Sequence, residues 1–110
     1  QVQDIEAFYS FPRALVGEGE SFMLRASGDS MMDAGIDSGD LVVVRRESEA
    51  RNGQIVAALT EDGRSTLKTL IKQDDDTAPY LHPENEAAGY SDIYDHFSIQ
   101  GVAVKIIKDL

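Results

Sequence analysis

The sequence predicts a mainly β fold: several short, mostly antiparallel strands in one compact domain with little helix. Three observations carry this reading. Gly and Asp recur along the chain, and the segments between them are short and rich in Val, Ile, Leu and Thr, which is strand composition. Asp62-Gly63 lies between two apolar runs, a strong short-range hairpin signal. Helix is confined to a turn at Ser30–Ala34, ended by Gly35.

Residues 1–20 read as an N-terminal arm and residues 21–110 as the body of the domain. The first ten residues carry little pattern, with Phe8, Tyr9 and Phe11 available to dock the arm. Strands are expected at Ser21–Ala26, Leu41–Arg45, Gln54–Thr60, Ser65–Ile71, Pro79–His82 and Phe97–Lys108. The last is long enough to be two strands, or one bent near Gly101. Glu61-Asp62-Gly63-Arg64 should join Gln54–Thr60 and Ser65–Ile71 as an antiparallel hairpin. With a period of two, Thr66, Lys68 and Leu70 then share one face of the second strand. Gln73–Thr77, with three consecutive aspartates, reads as a solvated turn; it lacks the alternating ligands and later Glu of a calcium loop. Pro83–Tyr90 reads as a loop with one helical turn at most.

The totals narrow the function. A chain of 110 residues is one domain with one modest core. It holds 20 acidic and 10 basic residues, a formal charge of −10, and a phosphate backbone would repel it. Unaided binding to DNA or to an anionic membrane is therefore not expected. No apolar run approaches the roughly 18 residues of a membrane span, and Gln1-Val2-Gln3-Asp4 has no signal-peptide character. The lack of Met at position 1 suggests a processed or trimmed chain. The absence of cysteine excludes disulfides, thiolate nucleophiles and cysteine-based zinc sites, and is compatible with a cytoplasmic location. No cofactor or metal is expected.

One pair of residues makes a specific chemical proposal. Ser30, in Ser27-Gly28-Asp29-Ser30-Met31, is followed 38 residues later by Lys68 in Thr66-Leu67-Lys68. A serine and a lysine suffice for peptide-bond hydrolysis when the lysine is neutral and takes the serine's proton. Burial lowers a lysine's pKa, and Lys68 is flanked by Leu67, Thr69 and Leu70 on an expected core strand. The Thr66 hydroxyl, on the same face, could orient the amine. Gly28 and Gly35 bracket the serine, and the amides of Asp29 and Ser30 are candidate oxyanion donors. Ser-Gly-Asp-Ser is also ordinary turn chemistry, and a strand lysine is usually exposed, so the residues alone leave both readings open. A Ser-His-Asp site from His82 or His96 with Asp92 or Asp95 has no support in its spacing. Met31 and Met32 read as apolar packing.

A resemblance adds to this. Phe11–Gly19, Phe22–Arg25, Ser27–Met31, Gly35–Asp40, Asn52–Ala58, Thr66–Lys68, Pro83–Asn85 and Gly101–Val104 resemble, in order, the C-terminal half of LexA-type SOS-response repressors. The same peptidase S24 catalytic domain occurs in the polymerase accessory protein UmuD and in phage repressors. The Phe11–Gly19 segment tilts the resemblance towards the repressors. What it implies is a β-rich self-cleaving domain of the LexA and signal-peptidase kind, with Ser30 as nucleophile and Lys68 as base. It implies homodimerisation through the terminal strand, at Phe97, Ile99, Val102, Val104 and Ile106, an apolar strand that would otherwise be an aggregation-prone edge. It implies cleavage stimulated by a RecA filament on single-stranded DNA, and operator binding only through an N-terminal DNA-binding domain. The family's cut lies about 29 residues or slightly more before the serine, so the chain is expected to begin near or past it, and to lack that DNA-binding domain. Three readings compete: a UmuD-like polymerase partner, a docking module with a silent Ser30 and Lys68, and a type I signal peptidase. The lack of a membrane span points away from the last.

Overall fold

The computed structural model describes residues 4–10 and 20–110. Among these, seven strands form one antiparallel sheet: β1 (Ile5–Ser10), β2 (Ser21–Ala26), β3 (Leu41–Arg46), β4 (Ile55–Thr60), β5 (Ser65–Ile71), β6 (Tyr80–His82) and β7 (Phe97–Ile107). Their order across the sheet is β1-β2-β3-β7-β4-β5-β6. The helical content among the described residues is one 3-10 turn, Met32–Ala34, closed by Gly35. The fold class is the expected one. The β4–β5 hairpin forms as the Asp-Gly signal predicts, with Ile55 opposite Thr69 and Leu59 opposite Ser65.

Two expectations need correction. Part of the segment read as a little-patterned arm is a strand, because Ile5–Ser10 pairs with β2 along its length. The register shifts between Ile5 and Ala7, and such a bulge breaks the period-two pattern by which a strand is recognised. Ile5 is buried, whereas Phe8 stands out and stacks on Phe22 at 5.9 Å, and Arg25 lies over the Tyr9 ring at 5.8 Å. Phe11 and the rest of Phe11–Gly19 lie outside the described residues.

The second correction concerns β7, expected as an edge strand and found in the middle of the sheet. Its first half pairs with β4, from Phe97 opposite Thr60 to Val102 opposite Val56. Its second half pairs with β3, from Gly101 opposite Arg46 to Ile107 opposite Leu41. One continuous strand thus passes from one half of the sheet to the other at Gly101, and only residues 103–107 keep an edge that β4 does not cover. At the crossing the strands approach so closely that a β-carbon on Gly101 would stand 2.5 Å from the Arg45 carbonyl oxygen. Only glycine fits there.

The core forms two clusters, and the first draws on both halves of the sheet, since Leu67 lies on β5. Leu24, Met31, Ile36, Val42, Val44 and Leu67 form one cluster, and Val56, Ala58, Leu70, Leu81 and Val102 form the other. Val102 belongs to the interior, at 4% exposure, and cannot face a partner as expected; Val104 is half-buried and Ile106 exposed. Met31 packs in the core, while Met32, expected to do the same, is exposed. β5 is covered on both faces, Thr66 to Leu70 all being buried. No helix among the described residues is long and apolar enough to cross a membrane.

Candidate active site

Ser30 follows β2 in one half of the sheet, and Lys68 lies mid-strand on β5 in the other. The curl of the sheet brings them together: Lys68 Nζ is 3.4 Å from Ser30 Oγ, and both residues are buried, at 6% and 5% exposure. Thr66 Oγ1 lies 2.7 Å from the amine, on the strand face that the sequence assigned to both. The pair opens into a cleft of about 600 Å³ whose lining includes Gly28, Asp29, Arg64, Tyr90, Asp92 and Tyr94.

The serine sits on a turn held from several sides. Its carbonyl accepts the Glu84 N–H at 2.8 Å, and the Asp33 N–H donates to the Glu84 carbonyl at 2.7 Å. Asn85, buried at 4% exposure, donates from Nδ2 to the Asp29 carbonyl at 2.8 Å. Downstream, the Asp40 carboxylate accepts the Asp37 N–H at 2.8 Å and pairs with Lys108 at the end of the chain. Burial works against the ionised Asp40 carboxyl, but the Lys108 bond and charge and the Asp37 N–H outweigh it and hold the pKa below its ordinary value. The Gly28 N–H donates to Ser38 Oγ at 3.3 Å. The amides of Asp29 and Ser30 donate to no other group among the described residues.

Three residues here escaped the sequence reading. Asn85 stands in the sequence only as part of the Pro83-Glu84-Asn85 resemblance. Tyr90 donates its hydroxyl to the Asp29 carboxylate; that bond, then burial, then the charges of Asp29 and Asp4 raise the phenol above its ordinary pKa. Asp4, just before β1, places its carboxylate among Ser30, Thr66 and Lys68. Nothing in the spacing of an acidic residue 26 positions before a serine could have revealed that contact.

His82 Nδ1 pairs with Asp92 at 2.5 Å and makes no hydrogen bond to Ser30 among the described residues, so no Ser-His-Asp site is assembled. His96 is exposed. Asp74 accepts the N–H groups of Asp76 and Thr77, which makes 73–77 a self-bonded turn. The described residues contain no cluster of side chains able to hold a metal ion.

A family profile described as peptidase S24-like matches residues 1–104. Curated relatives include the LexA repressor of Pseudarthrobacter chlorophenolicus, 47% identical over 98% of this chain and 42% of its own length. Those of Lactobacillus delbrueckii subsp. bulgaricus and Bacillus thuringiensis are each 43% identical, over 97% and 99% of this chain and 51% and 52% of their own lengths. The chain spans about half the length of the curated relatives it matches.

Proposed function

The chain belongs to the peptidase S24-like family, and from that premise we propose that it is the C-terminal domain of a LexA-type repressor, a peptidase that cuts its own polypeptide with Ser30 and Lys68. The observation that carries the reading is the 3.4 Å approach of two buried polar side chains from opposite halves of the sheet. Such a pair is costly to bury, and the chemistry of a nucleophile and its base accounts for it.

In this reading Ser30 Oγ attacks the scissile carbonyl carbon while its proton passes to Lys68 Nζ. Thr66 Oγ1 orients the amine. The Asp29 and Ser30 amides receive the negative charge that develops on the carbonyl oxygen. Lys68 returns the proton to the departing amine, and water then releases the acyl group from Ser30. Asn85 and Glu84 keep the turn from drifting as the bond forms.

The finer parts of the reading follow from the repressor type. The domain dimerises through the uncovered edge of β7, where Val104 and Ile106 reach the surface and Phe97 and Ile99 lie half-buried nearby. A RecA filament on single-stranded DNA stimulates cleavage. Operator DNA is held by a separate N-terminal domain, in keeping with the net charge of −10. The domain works in the cytoplasm without a cofactor.

The test is cleavage in trans of a LexA-type substrate whose own serine is alanine, followed from about pH 7 to about pH 10, where a lysine base becomes neutral. Product that rises with pH and disappears in Ser30→Ala and Lys68→Ala supports the reading. Product that persists in either variant, or a rate independent of pH, removes the dyad.

A further inference from the structure

Asp4 does more than fasten β1. Its carbonyl accepts the Ser27 N–H at 2.7 Å, which fixes its backbone beside the serine turn. Its side chain, 14% exposed, reaches into the cleft. Oδ1 accepts the Ser30 hydroxyl at 3.2 Å. Oδ2 accepts from Lys68 Nζ, from Thr66 Oγ1 and from the Leu67 N–H, the last at 3.3 Å. One carboxylate thus engages every side chain that the proposed chemistry needs.

Two consequences conflict with catalysis. A scissile carbonyl must come within about 3–3.5 Å of the nucleophile, and Asp4 Oδ1 stands at that distance from Ser30 Oγ. The serine must also give its proton to the lysine, whereas here the hydroxyl points to Asp4 and the amine is in an ion pair with it. An orienting carboxylate, as in a triad, touches the base on the side away from the nucleophile. Asp4 touches both, and Thr66 already holds the amine.

We propose that Asp4 is a resident inhibitor of the site: its carboxylate occupies the place of the substrate carbonyl, and cleavage requires it to withdraw. The proposal rests on the Ser30–Lys68 reading. The fold permits the movement. β1 is an edge strand, and the register shift between Ile5 and Ala7 separates its first residue from the regular pairing of Ala7–Ser10 with β2. Any upstream bond of the chain that enters the cleft must displace this carboxylate, so substrate entry and release of the inhibitor become a single step.

The test is the rate at which a small fluorophosphonate probe labels Ser30 in the wild-type chain, Asp4→Asn, Asp4→Ala, Ile5→Ala and Ser30→Ala, across about pH 6 to pH 10. The other charged and titratable groups lining the cleft, Asp29, Arg64, Tyr90, Asp92, Tyr94 and Asp95, are the same in all five proteins. Labelling in Asp4→Asn and Asp4→Ala should be faster by on the order of tenfold near neutrality, with its alkaline rise moved to lower pH. Ile5→Ala loosens the strand without removing the carboxylate, so its rise stays where the wild type has it. Equal or slower labelling in both Asp4 variants, with wild-type labelling intact, overturns the inhibitor and leaves the dyad standing. Failure of every protein to label at Ser30 overturns the dyad, and the inhibitor with it.

Discussion

Replacing Gly101 by alanine tests whether the crossing of β7 between the two halves of the sheet holds the site in register. The added β-carbon would stand 2.5 Å from the Arg45 carbonyl oxygen and 3.2 Å from its carbonyl carbon. A carbon next to a carbonyl oxygen normally keeps about 3.3 Å or more. The obstacle is backbone, so no side-chain rotation relieves it, and β3 and β7 must separate by roughly 1 Å. Overpacking of this kind costs about 1–3 kcal/mol. The upper end applies, because the displaced segment includes the pairings Arg46–Gly101 and Arg45–Val102. Against a total stability of about 5–15 kcal/mol that is a large fraction. With a urea slope of about 1–3 kcal/mol per molar, the unfolding midpoint should fall by roughly 1–3 M. The comparison is Gly63→Ala in the β4–β5 turn, where φ is +86° and the added carbon meets open space. There only the left-handed backbone resists, at about 1–2 kcal/mol. Gly101→Ala should therefore be the less stable of the two. Ser30 and Lys68 sit on opposite sides of the crossing, so labelling of Ser30 should also fall, by up to about 100-fold for a misplacement near 1 Å. A Gly101→Ala chain within about 0.5 kcal/mol of wild type, the range of neutral surface changes, would refute the steric argument. Normal labelling in a destabilised chain would refute the link to the site.

Other outcomes follow from the same contacts. Asn85→Ala removes the bond to the Asp29 carbonyl and should cost about 1–3 kcal/mol. Denaturation measures that loss, and Ser30 labelling should fall by more than the unfolded fraction explains; an unchanged rate would show that the turn holds itself. The Asp40 carboxyl has a lowered folded pKa, so its pairing with Lys108 stabilises fully above the ordinary carboxylate value of about 4 and is lost as pH falls through the folded value. The gap between wild type and Lys108→Met in urea midpoints should be widest near neutrality and close in acid. A gap that does not vary with pH contradicts the pairing. Leu81→Ala leaves a void in the second core cluster, where Leu81 is 0% exposed, and should cost about 2–5 kcal/mol. The wild-type urea slope should persist, and a change in slope would mean that the folded or unfolded ensemble had changed instead.

Much of this protein is determined by local sequence. The Asp62-Gly63 turn and its flanking runs dictate the β4–β5 hairpin, because turn geometry and a period of two act over adjacent residues. The same period puts Thr66 and Lys68 on one face, and their residue types state the chemistry before any fold is known. The tertiary structure decided what depends on distant segments. Lys68 is buried because the curled sheet covers β5 on both faces, and Ser30 meets it because two halves joined at Gly101 close upon each other. The place of β7 in the middle of the sheet was illegible, since an apolar run reads alike at an edge and in the interior. Val102, read as a surface residue, is core for that reason. Asn85 and Asp4 act across 56 and 64 positions of chain, Asn85 on the Asp29 carbonyl and Asp4 on Lys68. Such contacts leave no periodicity in the sequence, because a side chain that reaches a distant segment sets no constraint on its own neighbours.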